Sequence, residues 1–162
     1  MAKVILGIDP GIADTGYGLI KSEGGRLTCL AYGSIRTEAR LDLVSRLEVL
    51  HRELDKIIKK YQPDLAAIEQ LFFNKNVRTA LIVGQARGVV LLTLKQNKLP
   101  ISDFTPSQVK QAVSAYGQAS KMQVQKMVKL ILNLEELPRP DDAADALAVA
   151  MCALNSRLCQ KN

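Results

Sequence analysis

Two short apolar runs, each closed by a carboxylate, constrain this chain more than any other feature. Val4-Ile5-Leu6-Gly7-Ile8 runs without a polar side chain into Asp9-Pro10-Gly11, and Leu65-Ala66-Ala67-Ile68 runs into Glu69. An apolar run without alternation is the pattern of a strand covered on both faces, and the Pro-Gly pair marks a turn after the first. Strands of that kind occupy the middle of a sheet that carries helices on each side.

The rest of the chain supplies those layers. Thr15 to Lys21 and Leu27 to Thr37 read as two further strands, with Ser22-Glu23-Gly24-Gly25 as the hairpin turn between them. From Asp42 the period changes to helical, with Leu43, Leu47, Leu50, Leu54, Ile57 and Ile58 on one stripe and Tyr61-Gln62-Pro63 as the stop. A long helix from about Asn76 to Gln96 follows, then a short strand from Leu99 to Phe104, then two or three more helices. The order β-β-β-α-β-α-β-α predicts an α/β fold, with a mixed sheet of about five strands flanked by helices on both faces. No internal repeat or linker interrupts the sequence, so residues 1–162 are expected to form a single domain.

Charge and cysteine content narrow the function. Lys and Arg number 22 against 16 Asp and Glu, a formal net charge of +6, which favours a polyanionic partner. A membrane surface is disfavoured because no apolar run is long enough to span or anchor, and the N-terminal run is too short for a signal peptide. Cys29, Cys152 and Cys159 are odd in number and lack a C-x-x-C pair, an argument against disulfides and zinc and for a reducing cytoplasm. Cys152 and Cys159 read as core or interface fillers on a helix. His51 is the sole histidine and reads as a solvated residue of the charged stretch Arg46 to Lys60, which excludes a histidine-based triad or a multi-histidine metal site.

The acids carry the chemistry. If the two apolar strands are neighbours, Asp9 and Glu69 emerge side by side at one edge of the sheet. A third group, Asp141-Asp142-Ala143-Ala144-Asp145, opens the apolar helix that follows Pro138-Arg139-Pro140, and Asp142 and Asp145 lie on one face of its first turn. Taken singly, Asp9 also fits turn chemistry, and Asp142 and Asp145 fit an N-cap and an acid favoured by the helix dipole. Glu69 is harder to assign a structural role, because a charged residue ending so apolar a strand seldom serves packing and burying an unpaired carboxylate costs several kcal/mol. Together Asp9, Glu69, Asp142 and Asp145 make a hard, all-oxygen set suited to Mg2+, with Mn2+ as a substitute. Two such ions about 4 Å apart would serve in-line hydrolysis of a phosphodiester.

These residues fall within motifs that resemble the RuvC-type Holliday junction resolvases of bacteria. The motifs are Gly7-Ile8-Asp9-Pro10-Gly11 with Thr15-Gly16-Tyr17-Gly18, Ile68-Glu69-Gln70 with Phe72, Gly84-Gln85-Ala86-Arg87-Gly88, Gln108-Val109-Lys110-Gln111, Lys121, and Asp142-Ala143-Ala144-Asp145-Ala146-Leu147-Ala148. Each is weak alone; in this order over nearly the whole chain they are specific. The resemblance implies a ribonuclease-H-like fold and a homodimer that nicks four-way DNA junctions during recombination and repair, with two Mg2+ ions per subunit. It implies Asp9, Glu69, Asp142 and Asp145 as metal-binding catalytic acids, and Lys110 and Lys121 as cations near the scissile phosphate. Phe72 would wedge against bases at the crossover, while Lys75, Asn76 and Arg78 would contact phosphates. Branch-migration helicase proteins are implied as partners. Gly84 and Gly88, costly at about 1 kcal/mol each in a helix, fit a two-fold interface or close packing on the chain's own sheet.

Three rival functions share part of this pattern. A nuclease of the same fold acting on RNA-DNA hybrids would use the same acids but has no need of Phe72 or a dimer helix. A non-catalytic junction-binding protein would be expected to lack one of the four acids. A nucleotide-binding protein is suggested by Asp9-x-Gly11-x-x-x-Thr15-Gly16, but such proteins need two domains of this kind.

Overall fold

The computed structural model describes residues 2–71 and 77–156, with backbone alone at Val77 and Arg78. The elements in chain order are β1 (Lys3–Asp9), β2 (Asp14–Glu23), β3 (Arg26–Arg36), α1 (Leu43–Tyr61), β4 (Leu65–Glu69), α2 (Val77–Gln96), β5 (Ile101–Phe104), α3 (Pro106–Ser114), α4 (Lys121–Ile131) and α5 (Asp141–Asn155). The sheet order is β3-β2-β1-β4-β5. β1, β2 and β3 form an antiparallel meander, while β4 runs parallel to β1 and β5 parallel to β4. The two apolar runs are therefore adjacent central strands, as their sequences require.

Local chemistry sets the boundaries. Gly24 and Gly25 both hold positive φ (57° and 82°), the backbone of a two-residue hairpin whose twist matches the strands. The turn is thus tighter than the four residues expected, and both strands run further toward it. The Asp42 side chain accepts from the Ser45 N–H and starts α1, and Gln62 in the left-handed region ends it before Pro63. α3 and α4 each open with a capping box, Thr105 with Gln108 and Ser120 with Gln123.

Alternation along β1 and β4 divides the core in two. Leu6, Ile8, Ala66 and Ile68 face α1 and α2 and pack with Leu50, Leu54, Val90 and Leu94. Ile5 and Ala67 face the other way and pack with α3, α4 and α5, where Cys152 is buried as a filler. By the same two-residue period, Asp9 and Glu69 fall on the α5 side.

One expectation fails. His51 is half-buried, with Nδ1 2.8 Å from the Thr93 Oγ of α2, so it ties α1 to α2 instead of facing solvent. The reason is that it lies one residue after buried Leu50, at the edge of the α1 stripe where α2 crosses it. Cys159 lies outside the described residues.

Candidate active site

Strand register brings the first two acids together. Ile8 pairs with Ile68 across the parallel β1–β4 ladder, so Asp9 and Glu69, one residue on, end neighbouring strands on the same face. Asp142 and Asp145 come from the first turns of α5, which lies on that face. Carboxylate oxygens of Asp9, Asp142 and Asp145 lie within 4.8 Å of one another; Glu69 stands beside this trio without joining it.

The close approach of α5 depends on glycines in the strands beneath it. A Cβ at Gly16 would sit 2.0 Å from the Asp142 carbonyl oxygen, and one at Gly7 2.0 Å from that of Ala146. Gly18 would strike Leu147 in the same way. Helix backbone rests on strand backbone, and Ala143, Ala146 and Ala150 keep the underside of α5 thin. Glycine inside a buried strand signals such an approach, and in this sequence that signal stands within the motifs without naming the element that comes close. The N-cap of α5 is Pro140, with no side-chain cap bond, so Asp142 is not engaged in capping.

Gathering acids this closely disturbs their titration. Burial, then the nearby carboxylates of Asp145, Glu69 and Asp142, push Asp9 up to about 8, against a partial pull down from Lys121. Burial and Asp145 raise Glu69, which Lys110 and Lys121 pull back. Burial also raises Asp142. Lys121, the first residue of α4, meets Asp145 at 2.9 Å and lies 3.8 Å from Asp141. Its ammonium is raised above its ordinary value by these acids despite some burial. A cluster that raises several carboxylates at one place has the character of a functional centre, and one whose donors are all oxygen suits a hard divalent cation.

The other candidates divide. Lys110 on α3 and Lys121 on α4 flank the acids, the first close enough to act on Glu69 and the second in direct contact with Asp145. Asp141 stays outside the trio and pairs with Arg139 at 2.7 Å. Phe72, Lys75 and Asn76 lie outside the described residues, as does the side chain of Arg78. A methyl group at Gly84 or Gly88 on α2 would meet nothing within 4 Å among the described residues, so no close contact among those residues calls for glycine there. A second group not foreseen surrounds the entry to β2: Asp14 binds Ser34 at 2.9 Å and Arg36 at 3.0 Å, and the Thr15 hydroxyl donates to the Gly11 carbonyl at 2.5 Å. These bonds fix the turn that follows Asp9.

Comparison with known proteins gives this geometry its relatives. The family pattern described as "Crossover junction endodeoxyribonuclease RuvC" matches residues 5–153. A protein of that name from Halothermothrix orenii is 56% identical over 153 residues, covering 94% of this chain and 93% of its own. Another from Heliobacterium modesticaldum is 57% identical, covering 94% of each chain. Among solved structures, T. thermophilus RuvC in complex with Holliday junction substrate superposes with a TM-score of 0.88 at 34% identity, covering 93% of this chain and 92% of its own.

Proposed function

The chain belongs to the RuvC family of crossover junction endodeoxyribonucleases, and on that premise we propose that it resolves four-way (Holliday) DNA junctions by paired, metal-dependent nicks. The fold is ribonuclease-H-like, a five-stranded mixed sheet with helices on both faces. The observation that carries the proposal is the convergence of Asp9, Asp142 and Asp145 within 4.8 Å at the end of the two central strands.

The proposed site is the set of Asp9, Glu69, Asp142 and Asp145, holding two Mg2+ ions, for which Mn2+ can substitute. When bound, the ions supply an activated water and a charge sink for the departing 3′ oxygen. The protein's part is positional and electrostatic. Asp9, raised to about 8, is largely protonated at neutral pH in the metal-free site and accepts ionisation once positive charge arrives. Lys121 and Lys110 bring ammonium groups to the rim of the acids, where they would meet the scissile phosphate and offset charge as it develops. Gly7 and Gly16 hold the α5 acids at a fixed distance from Asp9, so little reorganisation remains for the reaction.

Phe72, three positions after Glu69, is the proposed wedge at the crossover, and Lys75, Asn76 and Arg78 the proposed phosphate contacts. The proposed assembly is a two-fold dimer through α2. Supporting it, Leu81 is 65% and Leu92 57% exposed, and with Gly84 and Gly88 they recur at helical spacing on one stripe of α2. Two active sites related by two-fold symmetry fit a substrate with two strands to cut. A single domain over residues 1–162, action in the cytoplasm, and delivery of the junction by branch-migration helicase proteins complete the proposal.

A synthetic junction with a mobile core, incubated with Mg2+ beside linear duplex and RNA-DNA hybrid, tests it. Paired nicks on opposing strands that leave ligatable duplexes are the expected result. Junction binding without cutting would leave a binding protein, and cutting of the hybrid would move the chain to the ribonuclease H branch.

A further inference from the structure

Lys121 occupies the place where it can do most harm to cation binding. Its ammonium lies 2.9 Å from Asp145, one of the three clustered acids, so it competes with any divalent ion for that carboxylate. Its side chain is half-exposed and can change partners, while its backbone is held. Ser120 and Gln123 form a capping box that fixes the backbone at the first residue of α4, leaving only the side chain to move. Among the described residues, Asp141 at 3.8 Å is the other acid within ion-pair distance of Lys121, while Asp9, Glu69 and Asp142 act on it from further away. Asp141 is not part of the clustered trio, and its two oxygens are already divided: Oδ1 is held by Arg139 at 2.7 Å, while Oδ2 faces Lys121.

We propose that Asp141 is a positioning residue that takes Lys121 from Asp145 when a divalent cation enters, holding the ammonium beside the acids instead of among them. This rests on the metal-site reading above and adds to it a role for an acid that binds no metal. Arg139 is the feature that makes the role specific. By holding one oxygen, it keeps Asp141 turned outward and leaves one oxygen for a second cation. The transfer needs a movement of only about one ångström to bring 3.8 Å to ordinary ion-pair contact. It also leaves the ammonium near the rim where a phosphate would arrive. Without Asp141, the displaced Lys121 loses its partner, so the cation-bound state is disfavoured relative to the free one.

The test measures Mn2+ binding alone by calorimetry, in protein without DNA, for wild type, Asp141→Asn, Lys121→Met and the double variant. Asp141→Asn should weaken Mn2+ binding about two- to fivefold, the scale of one half-exposed ion pair, and should have no effect once Lys121→Met has removed the competitor. Lys121→Met alone should tighten binding. An equal loss in both backgrounds would mean that Asp141 acts only as a distant negative charge, and no loss in either would mean that it does not receive Lys121; each overturns the proposal. If wild type takes up no Mn2+, the metal-site reading fails with it, a result distinct from these two.

Discussion

Asp9→Asn separates the cost of the site from its use. A carboxyl raised from an ordinary 3.8 to about 8 carries, at about 1.4 kcal/mol per tenfold change in proton affinity, a penalty of at most about 6 kcal/mol once ionised. Solvent at the open edge of the site screens part of that penalty, so a gain of up to a few kcal/mol, on the order of 1–5, is expected when Asn replaces Asp. The sign follows from proton counting. Between about pH 4 and pH 8 the folded protein holds a proton on Asp9 that the unfolded chain has lost, so wild-type stability falls as pH rises through that window. Urea unfolding in EDTA should therefore find Asp9→Asn level with wild type near pH 4, progressively more stable up to pH 8, and more stable by a constant amount above it. Saturating Mg2+ should narrow or reverse the gap, since wild type, with all four acids, gains more from binding than the variant. The variant should bind junctions without cutting them. A variant no more stable than wild type in EDTA at pH 8, or a gap that widens as pH falls, would refute the reasoning.

Other perturbations test separate parts of the structure. Mn2+ affinity of the wild type should rise with pH up to about 8, because cation entry expels the Asp9 proton; calorimetry in buffers of different ionisation heat would detect that proton, and a pH-independent affinity would count against it. Gly16→Ala places a methyl 2.0 Å from the Asp142 carbonyl and should cost about 1–3 kcal/mol or more in stability, with loss of metal binding; a silent substitution would mean that α5 can shift without consequence. Gly88→Ala meets nothing among the described residues of the protomer, so it should strengthen α2 by up to about 1 kcal/mol while weakening the proposed dimer, as read by sedimentation. An unchanged dimer would place the interface elsewhere.

The site was legible in the sequence wherever one element's pattern sufficed. Two apolar runs ending in acids gave away both central strands and Asp9 with Glu69, and the acids after Pro140 gave away the start of α5. What pattern could not reveal was contact between elements. His51 looks solvated because its neighbours in sequence are charged, and it is half-buried only because α2 crosses α1 beside Thr93. Gly7, Gly16 and Gly18 have no periodicity that names their partner; their meaning appears only when α5 is laid across them. Asp141 and Asp142 are adjacent and chemically identical, yet the helix turn sends one to Arg139 and the other to the acid cluster.

The glycine seam beneath α5 has a consequence for how the molecule could be altered. Since Asp142 and Asp145 are carried by a helix whose backbone sits on strand backbone at Gly7 and Gly16, little room is left there to absorb an error of fit. Repacking on that side of the sheet would change the spacing of the acids and is expected to alter how they hold a metal. The opposite layer, where Leu50, Leu54, Val90 and Leu94 meet Leu6 and Ile68, contributes none of the clustered carboxylates. Attempts to raise thermal tolerance are therefore better directed at that layer, where repacking leaves the seat of α5 untouched.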